Sequence, residues 1–243
     1  MLWSELSKKG NSNTSERIDL LDQLLQIYPV LQIRSLTADR EFIGKHWIHY
    51  LMKRNIHLYI RIKENRLVDW GGEKVQAGVF FKHLKVRSKP RKLYKTIDGY
   101  DLTLVGTCSK EGELVIILTN TDCNPRAILN MYKVRWMIEC LFKNLKHNGF
   151  NLEDTRMTFT DRLKKLMAVC AFSVALCVKM GIAKHAIHPI PYKKTVKSRL
   201  YSFFQYGLNH IRRFYDDIVK WIAQDTPRAF LQAVIQEPLK SEG

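Results

Sequence analysis

The chain lacks the cysteine pairs that build disulfide frameworks or zinc sites. Its five cysteines are an odd number, and none of them forms a C-x-x-C pair. This pattern predicts reduced thiols in a cytoplasmic protein and excludes a disulfide-rich secreted scaffold. A zinc site built on His46, His49 and cysteines is disfavoured as well, because the spacing matches no common zinc pattern.

Long uninterrupted apolar segments are also missing. The most apolar run extends from Leu166 to Val178 and is followed by Lys179. It is shorter than the roughly 20 residues that a membrane-spanning helix needs. The sequence therefore predicts a buried helix here and no membrane partner. No signal peptide is recognisable before the first predicted helix.

Acidic residues are scarce. The chain has 23 Asp and Glu against 40 Lys and Arg, so its formal net charge is +17 at pH 7. A basic excess of this size indicates a polyanionic partner. One stretch holds seven cations and no acid: Lys82, Lys85, Arg87, Lys89, Arg91, Lys92 and Lys95. We expect it to contact phosphates, although a solvated surface has the same pattern.

The order of predicted elements indicates an α/β sheet. Asn13 and Glu16 form a capping-box pattern at the start of an apolar-periodic helix. Strands are predicted over residues 31–37 and 56–62, with a short helix between them. Asp39 follows the first of these strands, at the edge where open α/β sheets place their sites. A turn or a helix cap is the ordinary role for such an aspartate.

The next part of the chain changes character. Residues 66–122 predict β-structure, with strands over 92–97, 100–107 and 114–119. Asp98-Gly99 between two of these runs indicates a hairpin. Asn124-Pro125 suits a helix start. Further helices are predicted over residues 162–180, 195–223 and 226–236.

One predicted helix carries a charged stripe. The stretch from Tyr132 to Lys146 contains no proline or glycine. At 100° per residue, Tyr132, Arg135, Glu139 and Lys146 share an arc of roughly 60°. The other side of the helix is expected to face the core through Val134, Ile138, Leu141 and Leu145. A solvated surface with one Arg135–Glu139 ion pair is the simplest interpretation of this stripe alone.

The spacing of the four stripe residues, Y-x2-R-x3-E-x6-K, resembles the signature of bacterial insertion-sequence transposases of family four, which have a DDE-type catalytic core. Two further stretches agree with it, Leu36 to Phe42 and Gly149 to Thr155. The resemblance extends to about Lys184. It implies an α/β, RNase H-like catalytic fold with a β-rich insertion and a C-terminal helical region.

The resemblance also implies roles for particular residues. Asp39 becomes the second member of the catalytic triad and Glu139 the triad glutamate, and both would bind metal. Tyr132, Arg135 and Lys146 would contact phosphates and the bent transposon end.

Trp136 lies beside the stripe and has two interpretations, a core aromatic or a side chain stacked on an extruded base. Glu41, close to Asp39, is not expected to bind metal.

The implied chemistry is cutting and joining of DNA strands by two-metal phosphoryl transfer. Two Mg²⁺ or Mn²⁺ ions about 3.5 to 4 Å apart would activate the attacking oxygen and stabilise the leaving one. The partners implied are double-stranded DNA, both the terminal inverted repeats of the transposon and target DNA, and a second copy of the chain on that DNA. The expected location is the bacterial cytoplasm, associated with the nucleoid.

Four parts are predicted along the chain. They are an RNase H-like core over 1–65, the β-rich insertion over 66–123, the core helix with the triad glutamate over 124–160 and the C-terminal helical region over 161–243. Leu2-Trp3 resembles the end of a strand, and the first aspartates, Asp19 and Asp22, fall within a predicted helix. The first two strands and the first catalytic Asp of the family are therefore expected to be missing. An incomplete transposase of this kind, whether a decayed copy, an internal start or a frameshift product, would be inactive alone.

Two other functions fit part of the pattern. A non-enzymatic fragment that binds DNA or dimerises would inhibit a full-length transposase through its basic surface and C-terminal helices. An RNase H-like nuclease unrelated to transposition would not require Tyr132, Arg135 and Lys146 in one stripe.

Overall fold

The structure is a computed structural model that describes residues 11–28, 33–146, 150–157, 159–195 and 198–224. The chain divides into two compact units, Met1–Cys140 and Leu141–Gly243. The strand end predicted at Leu2-Trp3 and the helix predicted over 226–236 lie outside the described residues.

The first unit is built from a sheet and helices. Its helices are α1 (Thr14–Ile27), α2 (Lys45–Lys53), α3 (Pro125–Lys133) and the start of α4 (Trp136–Lys146), with a 3₁₀ turn at Ala77–Phe81. Its strands are β1 (Leu36–Ala38), β2 (Leu58–Ile62), β3 (Leu67–Trp70), β4 (Glu73–Gln76), β5 (Arg91–Ile97), β6 (Tyr100–Cys108) and β7 (Leu114–Thr119). The α/β class predicted from the sequence is confirmed.

All seven strands belong to one mixed sheet in the order β1-β2-β7-β6-β5-β3-β4. β1 and β2 are parallel, and every other neighbouring pair is antiparallel. The strands predicted as a β-rich insertion thus continue the sheet that begins with β1 and β2. The short strands β3 and β4, which turn at Gly71-Gly72, were not predicted.

Local sequence signals set several of these boundaries. Asn13 Oδ1 accepts a hydrogen bond from Glu16 N at 2.9 Å, and Glu16 Oε2 accepts one from Asn13 N at 2.7 Å, which confirms the capping box. The Asp98-Gly99 hairpin is confirmed too: both residues have positive φ, 56° and 88°, as a tight two-residue turn requires. At Asn124 the side chain caps α3 by accepting from Arg126 N.

Helices cover both faces of the sheet. Successive side chains of β2 point to opposite faces, and each face packs against a different set of helices. Leu58, Ile60 and Ile62 of β2 belong to a core cluster that also contains side chains of α1 and α2. Tyr59 points to the opposite face and packs in a second cluster with Ile128 of α3. β2 is therefore buried from two sides.

The second unit is a helical pair, α5 (Thr160–Ile187) and α6 (Phe203–Gln224), preceded by the end of α4 and a 3₁₀ turn at Leu152–Thr155. The two helices approach so closely that glycine is required where they cross. A Cβ on Gly181 would lie 1.8 Å from the Phe203 carbonyl oxygen, and one on Gly207 would lie 1.8 Å from that of Cys177. Neither distance is sterically possible.

The prediction that the run from Leu166 to Val178 is a buried helix is wrong in part. Its helix, α5, buries Cys170 and Cys177, but leaves Val169 and Phe172 exposed. The reason is that α6 covers one side of α5 in the described part of the unit. By length and composition, α5 is the one described helix that could cross a membrane, although core helices of soluble proteins pass the same test.

The glycine crossing gives a stability prediction. Gly181→Ala should lower the free energy of unfolding by about 2 kcal/mol or more, because the added methyl group pushes the backbones of α5 and α6 apart. The helix-propensity gain of about 1 kcal/mol does not offset this. Urea denaturation followed by circular dichroism measures the change. Ala183→Val is the control, since it enlarges an exposed position of the same helix; equal losses for both variants would contradict the close crossing.

Candidate functional site

Asp39 lies just beyond β1, as predicted, in a short turn. Its Oδ1 accepts a hydrogen bond from Arg40 N at 2.8 Å, and its carbonyl oxygen accepts one from Phe42 N at 2.9 Å. The residue therefore has the local turn role that is ordinary for aspartate. The residue is partly buried at the carboxyl end of the strand, where it lines a cleft together with Val134 and Arg135.

Val134 and Arg135 form the junction of α3 and α4. α3 packs on β2 through Ile128, and Tyr132 near its end is partly buried against the same cluster. β1 is the parallel neighbour of β2. The end of β1 and the end of α3 are consequently brought to one edge of the sheet.

The prediction of one continuous helix through Tyr132 to Lys146 is wrong. α3 ends at Lys133 and α4 begins at Trp136. Across the break the hydrogen bonds span three residues rather than four: Arg135 N donates to Tyr132 O at 3.0 Å, and Ile138 N donates to Arg135 O at 3.0 Å. This is a 3₁₀-type turn, in which side chains three residues apart eclipse each other.

The tighter turn determines how the stripe residues meet. The Arg135 guanidinium lies over the Tyr132 ring, 5.7 Å from its centroid. The same guanidinium donates from Nη2 to Glu139 Oε1 at 2.5 Å. Tyr132, Arg135 and Glu139 therefore form one contiguous chain of contacts, with the cation between the ring and the carboxylate.

The charge of Asp39 affects the pKa of both Tyr132 and Arg135. Burial raises the pKa of Tyr132, and the negative charge of Asp39 raises it further against the opposing effect of Arg135. Burial lowers the pKa of Arg135, but the hydrogen bond to Glu139 and the electrostatic interactions with Tyr132, Asp39 and Glu139 outweigh it, so the pKa is raised overall. The structure thus brings four predicted site residues together in the first unit.

The remaining predicted residues are placed differently. Trp136 is 63% exposed, so the core interpretation of this side chain is excluded. Lys146 is exposed at the last position of α4 and belongs to the second unit. Glu41 forms a 3.5 Å ion pair with Lys63.

The predicted core face of the helix is wrong for its first half. Val134 and Ile138 are about half exposed, whereas Leu145 is buried. The turn at the helix junction leaves the first two beside a cleft of about 780 Å³ rather than against the sheet core. Asp39 and Arg135 also line this cleft.

Two buried cleft residues were not identified as site residues from the sequence. Arg17 of α1 is almost fully buried, lies 4.5 Å from the Phe42 ring centroid and has its pKa lowered by burial. Its position four residues before Leu21, within the apolar stripe of α1, was the available signal. Trp47 of α2 also lines the cleft, and its buried Nε1 has no acceptor among the described residues.

Arg135 retains unused hydrogen-bonding capacity. Its buried Nε has no acceptor in the described part of the chain. A buried donor without an acceptor costs about 1–3 kcal/mol. A guanidinium that stays charged and has a spare donor is suited to binding an anionic oxygen, such as that of a phosphate.

The donor set suits one divalent ion better than two. Mg²⁺ and Mn²⁺ prefer carboxylate oxygens, and the described site residues offer two carboxylates, Asp39 and Glu139. Glu139 is bonded to Arg135, and no group of three or more Asp, Glu, His or Cys side chains occurs among the described residues. A two-ion centre does not fit these residues as they are arranged.

The basic stretch of residues 82–95 is largely accessible. Lys82, Lys85, Arg87, Lys89 and Arg91 are exposed. The last two cations are engaged: Lys92 Nζ lies 2.6 Å from Asp122 Oδ1, and Lys95 Nζ lies over the rings of Trp70 and Phe80. The exposed members of the stretch are available to a polyanion.

The mixed sheet with helices on both faces defines an α/β domain. The carboxylate at a strand end and the charged residues at the helix junction form a candidate polyanion site. The sequence identifies the family. Residues 1–176 match the family model described as transposase DDE domain, so the chain belongs to the DDE transposase family. The mixed α/β fold is consistent with the RNase H-like fold of such domains. No curated protein matches the chain.

The proximity of Asp39 to Tyr132 can be tested by titration. Asp39→Asn should lower the pKa of Tyr132, because the lost negative charge no longer disfavours the tyrosinate. Carbon-13 NMR of labelled tyrosine against pH, with Tyr132 assigned by Tyr132→Phe, measures the pKa. Glu41→Gln is the matched control and should leave the Tyr132 titration where it is. An unchanged or higher pKa in Asp39→Asn would show that the two side chains do not interact.

Proposed function

We propose that this chain is the DNA-binding and catalytic part of a DDE transposase of bacterial insertion-sequence family four. The reaction is the cutting and joining of transposon-end DNA by phosphoryl transfer. Membership of the transposase DDE family supports the reaction class. The observation that carries the assignment of the site is the meeting of Asp39 with Tyr132, Arg135 and Glu139 at one edge of the sheet, although Asp39 lies almost a hundred residues before the other three.

In this proposal the junction of α3 and α4 meets the DNA backbone. Arg135, whose side chain is 23% exposed, contacts a phosphate through its guanidinium, and Tyr132 at the end of α3 adds to this contact. Lys146, in the second unit, is a separate proposed phosphate contact. Trp136 is exposed, which suits stacking on an extruded base. The exposed cations of residues 82–95 and the net charge of +17 add sequence-independent attraction to the duplex.

Asp39 and Glu139 are the proposed metal ligands. DDE transposases generally use divalent metals, and a bound Mg²⁺ or Mn²⁺ would polarise the phosphate and activate the attacking oxygen. Glu139 must first exchange its contact with Arg135 for the ion. A phosphate that accepts hydrogen bonds from Arg135 would favour this exchange.

A second ion would need ligands from outside the described residues. We therefore propose that the chain alone binds DNA and one ion but does not cut DNA. The finer features of the proposal are action as a homodimer on DNA, recognition of terminal inverted repeats and target DNA, and a location on the bacterial nucleoid in the cytoplasm.

DNA contact by the stripe can be measured by its salt dependence. Removing one phosphate-contacting cation should reduce the slope of log K against log salt by about 0.9 for duplex DNA. We expect this loss for Arg135→Ala and for Lys146→Ala, measured by fluorescence anisotropy with a labelled duplex. Lys110→Ala, which removes an exposed charge from the turn between β6 and β7, is the control. Slopes unchanged in both stripe variants would exclude the stripe from the DNA interface.

A metal-binding measurement can distinguish the two proposed ligands, Asp39 and Glu139, from a neighbouring carboxylate, Glu41. Asp39→Asn and Glu139→Gln should each weaken Mn²⁺ binding at least about tenfold, as measured by isothermal titration calorimetry, while Glu41→Gln keeps the parent affinity. Both substitutions are nearly isosteric, and loss of the partly exposed Arg135–Glu139 pair costs about 1 kcal/mol or less. Thermal unfolding verifies that the variants are folded. Equal Mn²⁺ affinities in all three variants would exclude Asp39 and Glu139 as ligands.

The proposed inactivity has its own test. DNA nicking by the parent chain, but not by Asp39→Asn, would contradict it.

A further inference from the structure

Four exposed residues, 85–88, form a turn within the basic stretch of residues 82–95; we call it the basic turn. Two hydrogen bonds close it. Ser88 N donates to Lys85 O at 3.0 Å, and Lys85 N donates to Ser88 Oγ at 3.0 Å. Val86 and Arg87 lie between these residues and form the tip. General attraction to DNA does not require a turn that is fixed in this way.

The basic turn is anchored on both sides. Before the turn, Phe81 is buried in the core of the first unit, and Leu84 packs against the same core. Leu84 N also donates to Phe81 O at 2.9 Å. After the turn, Arg91 begins β5 and donates from Nη1 to Phe80 O at 3.4 Å. The folded sheet therefore determines where the tip is held.

Arg87 has a backbone conformation that arginine rarely adopts. Its φ is +68°, in the left-handed region where a side chain crowds its own backbone. Glycine adopts this conformation without that cost. Residues in disfavoured conformations concentrate at functional sites. An arginine at this position therefore indicates a role for the side chain itself.

The surroundings of Arg87 leave its charge available. The side chain is exposed, and its guanidinium makes no hydrogen bond or ion pair with the residues that the structure describes. Lys85 and Lys89 are exposed as well, and no acid occurs from residue 82 to residue 95. Val86, which is 44% exposed, is the apolar member of the tip. The tip thus presents one cation and one apolar side chain between further cations.

The minor groove of duplex DNA matches this arrangement. It is about 6 Å wide, so a two-residue tip can enter it, whereas an α-helix about 10 Å across cannot. At A·T pairs its floor offers only acceptors, and the narrow groove of A·T-rich DNA attracts an inserted arginine. The phosphates of the two strands lie on either side, where flanking lysines can contact them.

We propose that the basic turn inserts Arg87 into the minor groove of A·T-rich duplex DNA. Arg87 donates hydrogen bonds to the acceptors on the groove floor, and Val86 contacts the sugars of the groove wall. Lys85 and Lys89 contact the neighbouring phosphates. The turn adds a preference for DNA sequence to the general attraction of the basic surface. This inference rests on the proposed function, because it takes duplex DNA as the partner.

Three labelled duplexes of equal length distinguish the minor groove from the major groove. Their central pairs are A·T, G·C or inosine·cytosine, and the last resembles A·T in the minor groove because it lacks the amino donor of guanine. Fluorescence anisotropy with the full chain should show binding to the A·T and inosine·cytosine duplexes about fivefold or more tighter than to the G·C duplex, the lower range for one base contact. Equal binding of all three duplexes, or inosine·cytosine binding no tighter than G·C, would overturn the proposal.

Two substitutions at Arg87 test the side chain. Arg87→Gly suits the positive φ and should abolish the preference for A·T. Arg87→Lys keeps the charge but should weaken the preference, because an ammonium is more strongly hydrated than a guanidinium. Arg156→Gly is the matched control, since Arg156 is also exposed and has a φ of +47°. An undiminished preference in either Arg87 variant, or an equal loss in Arg156→Gly, would overturn the assignment to Arg87.

The salt slopes of Arg135→Ala and Lys146→Ala test the proposed function separately. Unchanged slopes together with an intact A·T preference would contradict the stripe contacts and leave the turn contact standing. Reduced slopes together with equal binding of the three duplexes would overturn the turn contact alone.

Discussion

The burial of β2 on both faces is the constraint on which the site depends. One face of the strand packs against α1 and α2, and the other packs through Tyr59 against α3. Its edges pair with β1 in parallel and with β7 in antiparallel orientation. Because Asp39 directly follows β1 and Tyr132 lies in the last turn of α3, the position of β2 determines that these two residues meet. The strands from β3 to β7 extend the sheet on the side away from β1 and leave that meeting point accessible.

At the meeting point a single guanidinium organises the charges. Arg135 is bonded to Glu139, lies over Tyr132 and experiences the charge of Asp39. The hydrogen bond to Glu139 and the interactions with Tyr132, Asp39 and Glu139 outweigh the effect of partial burial and raise the pKa of Arg135. The same arrangement occupies Glu139 and leaves Arg135 Nε without an acceptor among the described residues. In the proposed function, Glu139 would have to leave Arg135 before it could hold a cation.

Apolar surface is distributed in the same way in each unit, as faces that the described residues do not cover. In the first unit, Val134, Met137 and Ile138, which follow the helix junction, are 49%, 69% and 50% exposed. In the second unit, Val169 and Phe172 of α5 are exposed on a helix that packs with α6 through a glycine crossing. Among the described residues, α6 covers one side of α5, and several large apolar side chains on α5 stay exposed.

The sequence by itself determined the features that depend on near neighbours in the chain. The capping box at Asn13, the turn at Asp98-Gly99 and the position of Asp39 after a strand follow from local hydrogen bonding and backbone conformation, and all three are observed. The resemblance of their spacing to a family signature also singled out Tyr132, Arg135 and Glu139, and their roles stay predictions. Only the tertiary structure decided that the helix breaks at Val134 and Arg135, that Val134 and Ile138 face a cleft, and that α5 is exposed on one side. These features depend on which surfaces meet across long sequence separations, and helical periodicity contains no information about whether a partner surface is present.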